Sequence, residues 1–502
     1  IYTRIFLISF GCSMVINTID GISDDYYQWY NMGAGSTLKA PSSNYTGDKM
    51  LSYFARINYS FKDRYLVTVT GRFDGSSKFG EDNRFAFFPS AALGWRASEE
   101  DFLKGNKVIS NLKPRVSYGF TGNSGIPTYG SMANLSTSGM AYPFGGTRVN
   151  GIGVGSLANP LLRWEKTGQF NVGLDLGFLN ERISLSADYY IKHTTDMLLN
   201  APVPTTSGFR SISTNIGNMR NSGFEFTLNT QNIQTKNFSW SSMLNFSSLK
   251  NKITALSQGD ADIIMAPNNL TILRVGESVG SFFGYIRDGV WGENEAEQAA
   301  IYGKLPGDAK LRDVNNDKQI NESDRVILGK GIPDFYGTFT NTFKYKDFDL
   351  VIELQYSCGS KIYWDGLGTC AMRQGIANSL SMVLDTWTPE NQGATLEQIR
   401  PSNAYYNSLK DDARLYNGSF IRGKNISLGY NLPSDICKKL HLKALRVTLS
   451  AQNVFVISQY PGFDPETTVY NTTTQNEAFA QNIETFGYPK PRTFSFGANI
   501  TF

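Results

Sequence analysis

Apolar and polar residues alternate one for one along much of the chain. Tyr53, Ala55, Ile57 and Tyr59 fall on one face and Arg56, Asn58 and Ser60 on the other, the period-two pattern of a strand with one apolar side and one wet side. Lys62, Asp63 and Arg64 form a polar turn into YLVTVTGRF, where Tyr65, Val67 and Val69 oppose Thr68 and Thr70. The two runs therefore predict a hairpin. The same unit recurs in FAFFPSAALGWRAS, LKPRVSYGFTG, GQFNVGLDLGFLNERISLSADYYIKH, GFEFTLNTQ, FSWSSMLNFSSLKNKI, YGTFTNTFKYKDFDLVIELQYS, SFIRGKNISLGYNLP, ALRVTLSAQNVFVI and TFSFGANITF. With the less regular segments this gives roughly 14 strands. The opening run around IFLISFGCSMVI also reads as a strand, since it has no initiator Met and no small-residue cleavage site.

The connections are unequal. Leu179-Asn180-Glu181 and Tyr345-Lys346-Asp347 make short turns, whereas long polar stretches run over about 122–160, 193–218, 251–330 and 358–416. Loops of that length argue against a compact soluble domain, and short turns at one end with long loops at the other are the habit of an outer-membrane barrel. Tyr59, Tyr65, Trp95, Tyr118, Tyr189, Tyr190, Trp240 and Tyr345 fall near strand ends, where aromatic rings favour the headgroup level; the competing reading is the core of a soluble β-sandwich. The last strand sets Phe494, Phe496, Ala498, Ile500 and Phe502 against Thr493, Ser495, Gly497, Asn499 and Thr501. This aromatic finish is a candidate barrel-assembly signal, carried by Phe494, Phe496 and Phe502.

Composition agrees with a strand-spanning membrane protein. The 502 residues include 48 Gly, 33 Phe and 26 Tyr with only 18% charged residues, and no stretch approaches the roughly 20 apolar residues of a spanning helix. A closed barrel is the remaining way to satisfy the backbone in lipid. The net charge is +3 with interspersed signs, which gives no basic stripe for nucleic acid. Cys12, Cys358, Cys370 and Cys437 form no CxxC pair, so neither zinc nor redox chemistry is indicated; a loop disulfide between Cys358 and Cys370 stays open.

One segment has metal-ligand spacing. In DVNNDKQINESD, Asp313, Asn315, Asp317, Asn321 and Asp324 occupy positions 1, 3, 5, 9 and 12, with the Gln319 carbonyl at 7, as in an EF-hand-like Ca²⁺ loop. Lys318 stands where Gly usually makes the turn, and Asp324 is shorter than the usual Glu. The alternative is a polar turn that binds nothing tightly. Any Ca²⁺ here would brace a loop, because no nucleophile or base accompanies it. No cofactor is otherwise required. His193 and His441 are isolated and read as solvated loop residues, and the acids Asp411 and Asp412 are not singled out as a catalytic pair. The chain is not expected to be an enzyme.

From YFARINYSFKDRYLVTVTGRFDGSSKFGEDNRFAFFPSAALGWRASEEDFL through NPLLRWEKTGQFNVGLDLGFLNERISLSADYYIKHTTDMLL, VGSFFGYIRDGVWG, GDAKLRDVNNDKQINESDRVILG and YPGFDPE to PRTFSFGANITF, the chain closely resembles the SusC/RagA family of TonB-dependent receptors of Bacteroidota. The resemblance covers nearly everything from Asp24 to Phe502. It implies an all-β transmembrane antiparallel barrel of roughly 22 strands, closed by an N-terminal plug. The chain accounts for its C-terminal part; about eight strands, the plug and the TonB box have no counterpart here, which predicts either a fragment or a truncated product.

The resemblance further implies an outer-membrane location, a SusD-like lipoprotein lid, and TonB-driven import of a glycan, oligosaccharide or peptide, with TonB acting through the missing N-terminal region. Trp291, Tyr363, Trp364, Tyr405 and Tyr406 are candidate loop aromatics for sugar stacking or lipoprotein contact. The alternatives are a passive outer-membrane channel, a structural barrel, or a truncated fragment that does not transport.

Overall fold

The computed structural model describes residues 2–10, 19–20, 37–38, 46–136, 141–265, 269–371, 378–399, 410–467 and 479–502. Tyr405, Tyr406 and Cys12 lie outside them. Fourteen strands follow one another in a single antiparallel path: β1 (Tyr2–Phe10), β2 (Gly47–Phe61), β3 (Tyr65–Ser76), β4 (Phe85–Trp95), β5 (Ile109–Asn123), β6 (Glu165–Phe178), β7 (Ile183–Thr195), β8 (Asn218–Gln234), β9 (Phe238–Ser248), β10 (Phe335–Tyr345), β11 (Phe348–Cys358), β12 (Phe420–Asn431), β13 (Ala444–Ser458) and β14 (Thr493–Thr501). Lys250–Ala255 continues β9 and pairs with the far half of β8. Each strand bonds to its sequence neighbours without crossover, and among the described residues β1 and β14 are not joined to each other.

The register turns the sequence alternation into two faces. Tyr59 stands opposite Val67, Val67 opposite Leu93, and Leu93 opposite Val116. The row continues through Val172, Tyr189 and Phe224. At the other edge, Leu428 meets Leu449 and Leu449 meets Phe496. These rings and branched chains are largely exposed, which in water would be a liability and in lipid is the matching surface. Tyr59, Tyr65, Trp95, Tyr118, Tyr189 and Tyr345 all lie on it. Tyr190 does not: one residue out of phase with Tyr189, it is buried and packs over Gly223 on the neighbouring strand.

The tightest turns, 62–64, 179–182, 235–237 and 346–347, lie at one end of the sheet and the longest connections at the other. Left-handed residues close the short turns, among them Lys62, Asp63 and Leu179 to Glu181. At the opposite end run 124–164, 196–217, 249–334, 359–419 and 459–492. The last was not singled out by sequence, because its ends are polar and irregular. These connections carry their own sheets, including one of Ile263–Met265, Thr271–Leu273, Ser281–Gly284 and Val326–Lys330. They also hold the best-buried apolar residues, such as Leu273, Phe282 and Ile362. The core of the molecule therefore sits in the loop body, while the wall has little core of its own.

Candidate functional site

The inner face of the wall is polar, and several of its charges are paired across neighbouring strands. Arg115 on β5 reaches Asp175 on β6 at 3.1 Å and Asp188 on β7 at 2.7 Å, while Ser186 donates to Asp175 at 2.8 Å. Lys113 adds a contact to Asp175 at 3.5 Å. Further round, Arg446 on β13 bonds Asp349 on β11 at 2.6 Å, above Gly429 of the strand between them. A surface of paired charges, threonines, serines and amides presents hydrogen bonds to water or to a polar solute and offers nothing to lipid.

Over the long-loop end, the connections 249–334 and 359–419 are tied by a buried ion cluster. Arg287 donates to Glu397 at 2.5 Å and to Asp411 at 2.8 Å through Nε, with a second, shorter contact to the same Asp411 oxygen. Its backbone N–H donates to Asp412. The side chains of Arg287, Glu397 and Asp411 are at most 4% exposed. Burial pulls the Arg287 pKa down, but the charges of Asp411 and then Glu397 outweigh it and hold the guanidinium above its ordinary value. Burial acts on Asp411 in the opposite sense, raising its pKa against the pull of Arg287 and Arg414, and Asp411 and Asp412 act as a latch between two loops.

Beneath this body, at the inner face of β10 to β12, lies a cavity of about 620 Å³. Its wall side is made by Tyr336, Gln355, Ser357 and Phe420, and its roof includes Glu466 and Thr467 of the last long connection. Nothing in the alternation pattern marks these residues as a group; they converge only when three strands and a distant loop are brought together.

The segment Asp313 to Asp324 folds on itself. Asp313 accepts the N–H groups of Asp317 and Lys318 at 3.2 and 2.8 Å, and Asp317 accepts that of Gln319 at 2.8 Å. Asn315 accepts the N–H of Asp317 at 3.1 Å. Lys318 takes a left-handed backbone, φ 64°, so the turn usually made by Gly is made without one. Asp324 is fully buried and accepts the N–H groups of Val314 and Asn321, both at 2.9 Å, while Asn321 caps the short helix Glu322–Asp324. Among the described residues no three His, Cys, Asp or Glu side chains come together as a metal site. An ion in this loop would therefore depend on the amide oxygens of Asn315 and Asn321 and the Gln319 carbonyl as well as on carboxylates.

Among the described residues the candidate loop aromatics pack against other rings. Trp291 is buried against Tyr302 at 6.0 Å with Lys310 over its ring at 4.6 Å. Tyr363 is wholly buried beside Phe282, and Trp364 packs edge-on to Tyr416 and Tyr460. These rings build the loop body. Cys358, Cys370 and Cys437 are free thiols, so the loop disulfide does not form. His193 belongs to β7, where the strand runs further than its sequence end suggested, and His441 follows the short helix Ser434–Lys439. Phe494 and Phe496 stand on the outer face of the edge strand β14, and Phe502 follows it, 78% exposed.

Known proteins place this architecture. The family model described as TonB dependent receptor-like, beta-barrel matches residues 10–454. The chain belongs to the TonB-dependent receptor-like β-barrel family. TonB-dependent receptor P3 of Formosa agariphila is 37% identical over 481 residues, covering 94% of this chain and 47% of the relative. TonB-dependent receptor SusC of Bacteroides thetaiotaomicron is 34% identical over 481 residues, covering 93% and 45%. Among solved structures, that of the RagAB peptide transporter superposes with a TM-score of 0.77 at 27% identity, covering 93% of this chain and 49% of that one. The chain thus spans about half the length of the relatives it matches, and it is barrel wall and loops of an outer-membrane protein of that family, similar to SusC and to the RagAB transporter.

Proposed function

We propose that the polypeptide carrying this chain imports a nutrient, an oligosaccharide or a peptide, across the outer membrane in a TonB-dependent step together with a SusD-like surface lipoprotein. The observation that carries the reading is the wall itself: an apolar outer row, a polar inner row with charge pairs across strands, and the longest connections gathered over one mouth. Such a wall surrounds a polar interior and presents a structured surface for capture. The relatives named SusC and RagAB support the two-component arrangement.

Intact mass of the native protein, with identification of what co-purifies in mild detergent, tests this. A polypeptide about twice this length with a bound lipoprotein is the expected result. A species no longer than this chain, alone, would overturn active import and favour a passive barrel.

We also propose that Asp313 to Asp324 takes Ca²⁺ as a brace for connection 249–334. The self-bonded turn supports it, since the N–H groups of 317 to 319 point at side-chain oxygens and hold them in place before any ion arrives. Millimolar Ca²⁺ should slow proteolysis between Gly303 and Lys330 in the wild type and not in Asp317→Ala. Equal cleavage with Ca²⁺ and with chelator would remove the proposal.

A further inference from the structure

We infer that the cavity beneath the last long connection is a binding compartment for an uncharged, hydroxyl-rich oligosaccharide unit, and that it rejects anionic glycans. This rests on the import reading and narrows its substrate.

The cavity's size, about 620 Å³, lies within the range of small-molecule sites, roughly 300–1,000 Å³. Among the described residues its lining holds one acidic or basic side chain, Glu466. That charge is already met by Lys490 at 2.5 Å and Arg422 at 3.6 Å. Arg422, 2% exposed, is in turn held by Asp464 at 2.5 Å. Among the described residues Arg422 and Lys490 are balanced by Asp464 and Glu466, so an entering anion meets no net positive charge, although Nε of Arg422 has no hydrogen-bond partner. A sulfate or uronate would lose its hydration and gain no counter-charge, which is a large penalty.

A neutral polyol meets the opposite situation. Gln355, Ser357, Ser360, Thr467, Gln481 and Asn482 supply neutral donors and acceptors. Among the described residues neither Oε1 of Gln355 nor Oγ1 of Thr467 has a hydrogen-bond partner, a cost that a small rotation toward a ligand hydroxyl would relieve. Tyr336, 44% exposed, provides a ring face at the same surface. Hydroxyls exchanged for amide and hydroxyl partners, with a ring against the sugar face, are the complement of an uncharged sugar. The approach is fixed by the fold: Gly331 leaves no room for a side chain, since a Cβ there would lie 2.3 Å from the Gln481 carbonyl oxygen.

The test uses the full-length native protein in detergent on an array bearing neutral malto-, manno- and xylo-oligosaccharides, oligogalacturonates, sulfated galactans and mixed peptides. Ser357→Trp, which fills the cavity, and Gln355→Leu, which removes its amide without breaking a bond, are run beside the wild type, with heat-modifiable migration as the fold control. Neutral oligosaccharides should bind, Ser357→Trp should weaken them at least tenfold, and Gln355→Leu several-fold. Binding of anionic glycans or peptides that Ser357→Trp abolishes would overturn the ligand class. Neutral binding untouched by both variants, or no neutral binding at all, would overturn the compartment. Failure of the import reading shows separately, as loss of the co-purifying lipoprotein and the longer polypeptide.

Discussion

The guanidinium of Arg115 lies across Gly173: a Cβ added to Gly173 would stand 2.6 Å from Cζ of Arg115. The same Cβ would be 2.6 Å from Oδ1 of Asp188, so the bare backbone of β6 is what lets Arg115 on β5 reach the carboxylate on β7. Gly173→Val should push the two apart and overpack the inner face, at a cost of about 1–3 kcal/mol. Urea unfolding of the barrel in lipid vesicles checks this. Unfolding coincident with wild type would mean that the contact across β6 carries no stability.

At the short-turn end, Glu100 collects Trp95 at 3.1 Å, Tyr65 at 2.8 Å and Arg64 at 2.8 Å. The hydrogen bonds from Trp95 and then Tyr65, with Arg64 adding against a partial burial effect, hold the Glu100 carboxyl below its ordinary value of 4.5. A carboxyl whose pKa is lower folded than unfolded contributes fully above the unfolded value and loses its contribution as pH falls through the folded one. The temperature at which the folded band disappears on cold-loaded gels should therefore drop more steeply below pH 4.5 in wild type than in Glu100→Gln. Parallel curves would show that this knot of girdle residues does not sense protons.

Phe502 follows the last strand, whose outer face carries Phe494 and Phe496, the alternating aromatic finish read as an assembly signal. Deleting Phe502 should lower the amount of protein reaching the outer membrane while leaving its synthesis unchanged. Surface levels equal to wild type would remove Phe494, Phe496 and Phe502 as an assembly signal.

The wall was legible because lipid and water impose a strict period of two. Tyr53 to Tyr59 and Phe494 to Phe502 show their faces in sequence, and the short turn at Lys62 and Asp63 fixes their pairing. Tyr190 was misplaced because two adjacent tyrosines cannot share a face, and local sequence does not say which points outward. The loop body was opaque for a different reason. Tyr363 lies in a polar, aperiodic connection and is buried against Phe282 and Ile483 of two other connections, as Arg287 depends on the distant Asp411. The cavity at Gln355 and Thr467 likewise exists only as a long-range juxtaposition.

That dependence makes Arg287 the place to separate loop order from wall stability. Arg287→Met leaves Asp411 and Glu397 buried without their shared partner, a loss of about 3–5 kcal/mol when one side of a buried pair is removed. The loss falls on the contact between connections 249–334 and 359–419 and not on the ladder of β1 to β14, whose hydrogen bonds Arg287 does not touch. Limited proteolysis of the native protein should therefore cut both connections several-fold faster in Arg287→Met, while the heat-modifiable migration of the barrel stays as in wild type. Asp411→Asn, which keeps a hydrogen-bond acceptor and leaves Glu397 to balance Arg287, should fall between the two. A variant barrel that melts together with its loops would show that the latch and the wall form one cooperative unit. Cleavage at the wild-type rate would show that apolar packing around Phe282 and Tyr363 holds the loops without it.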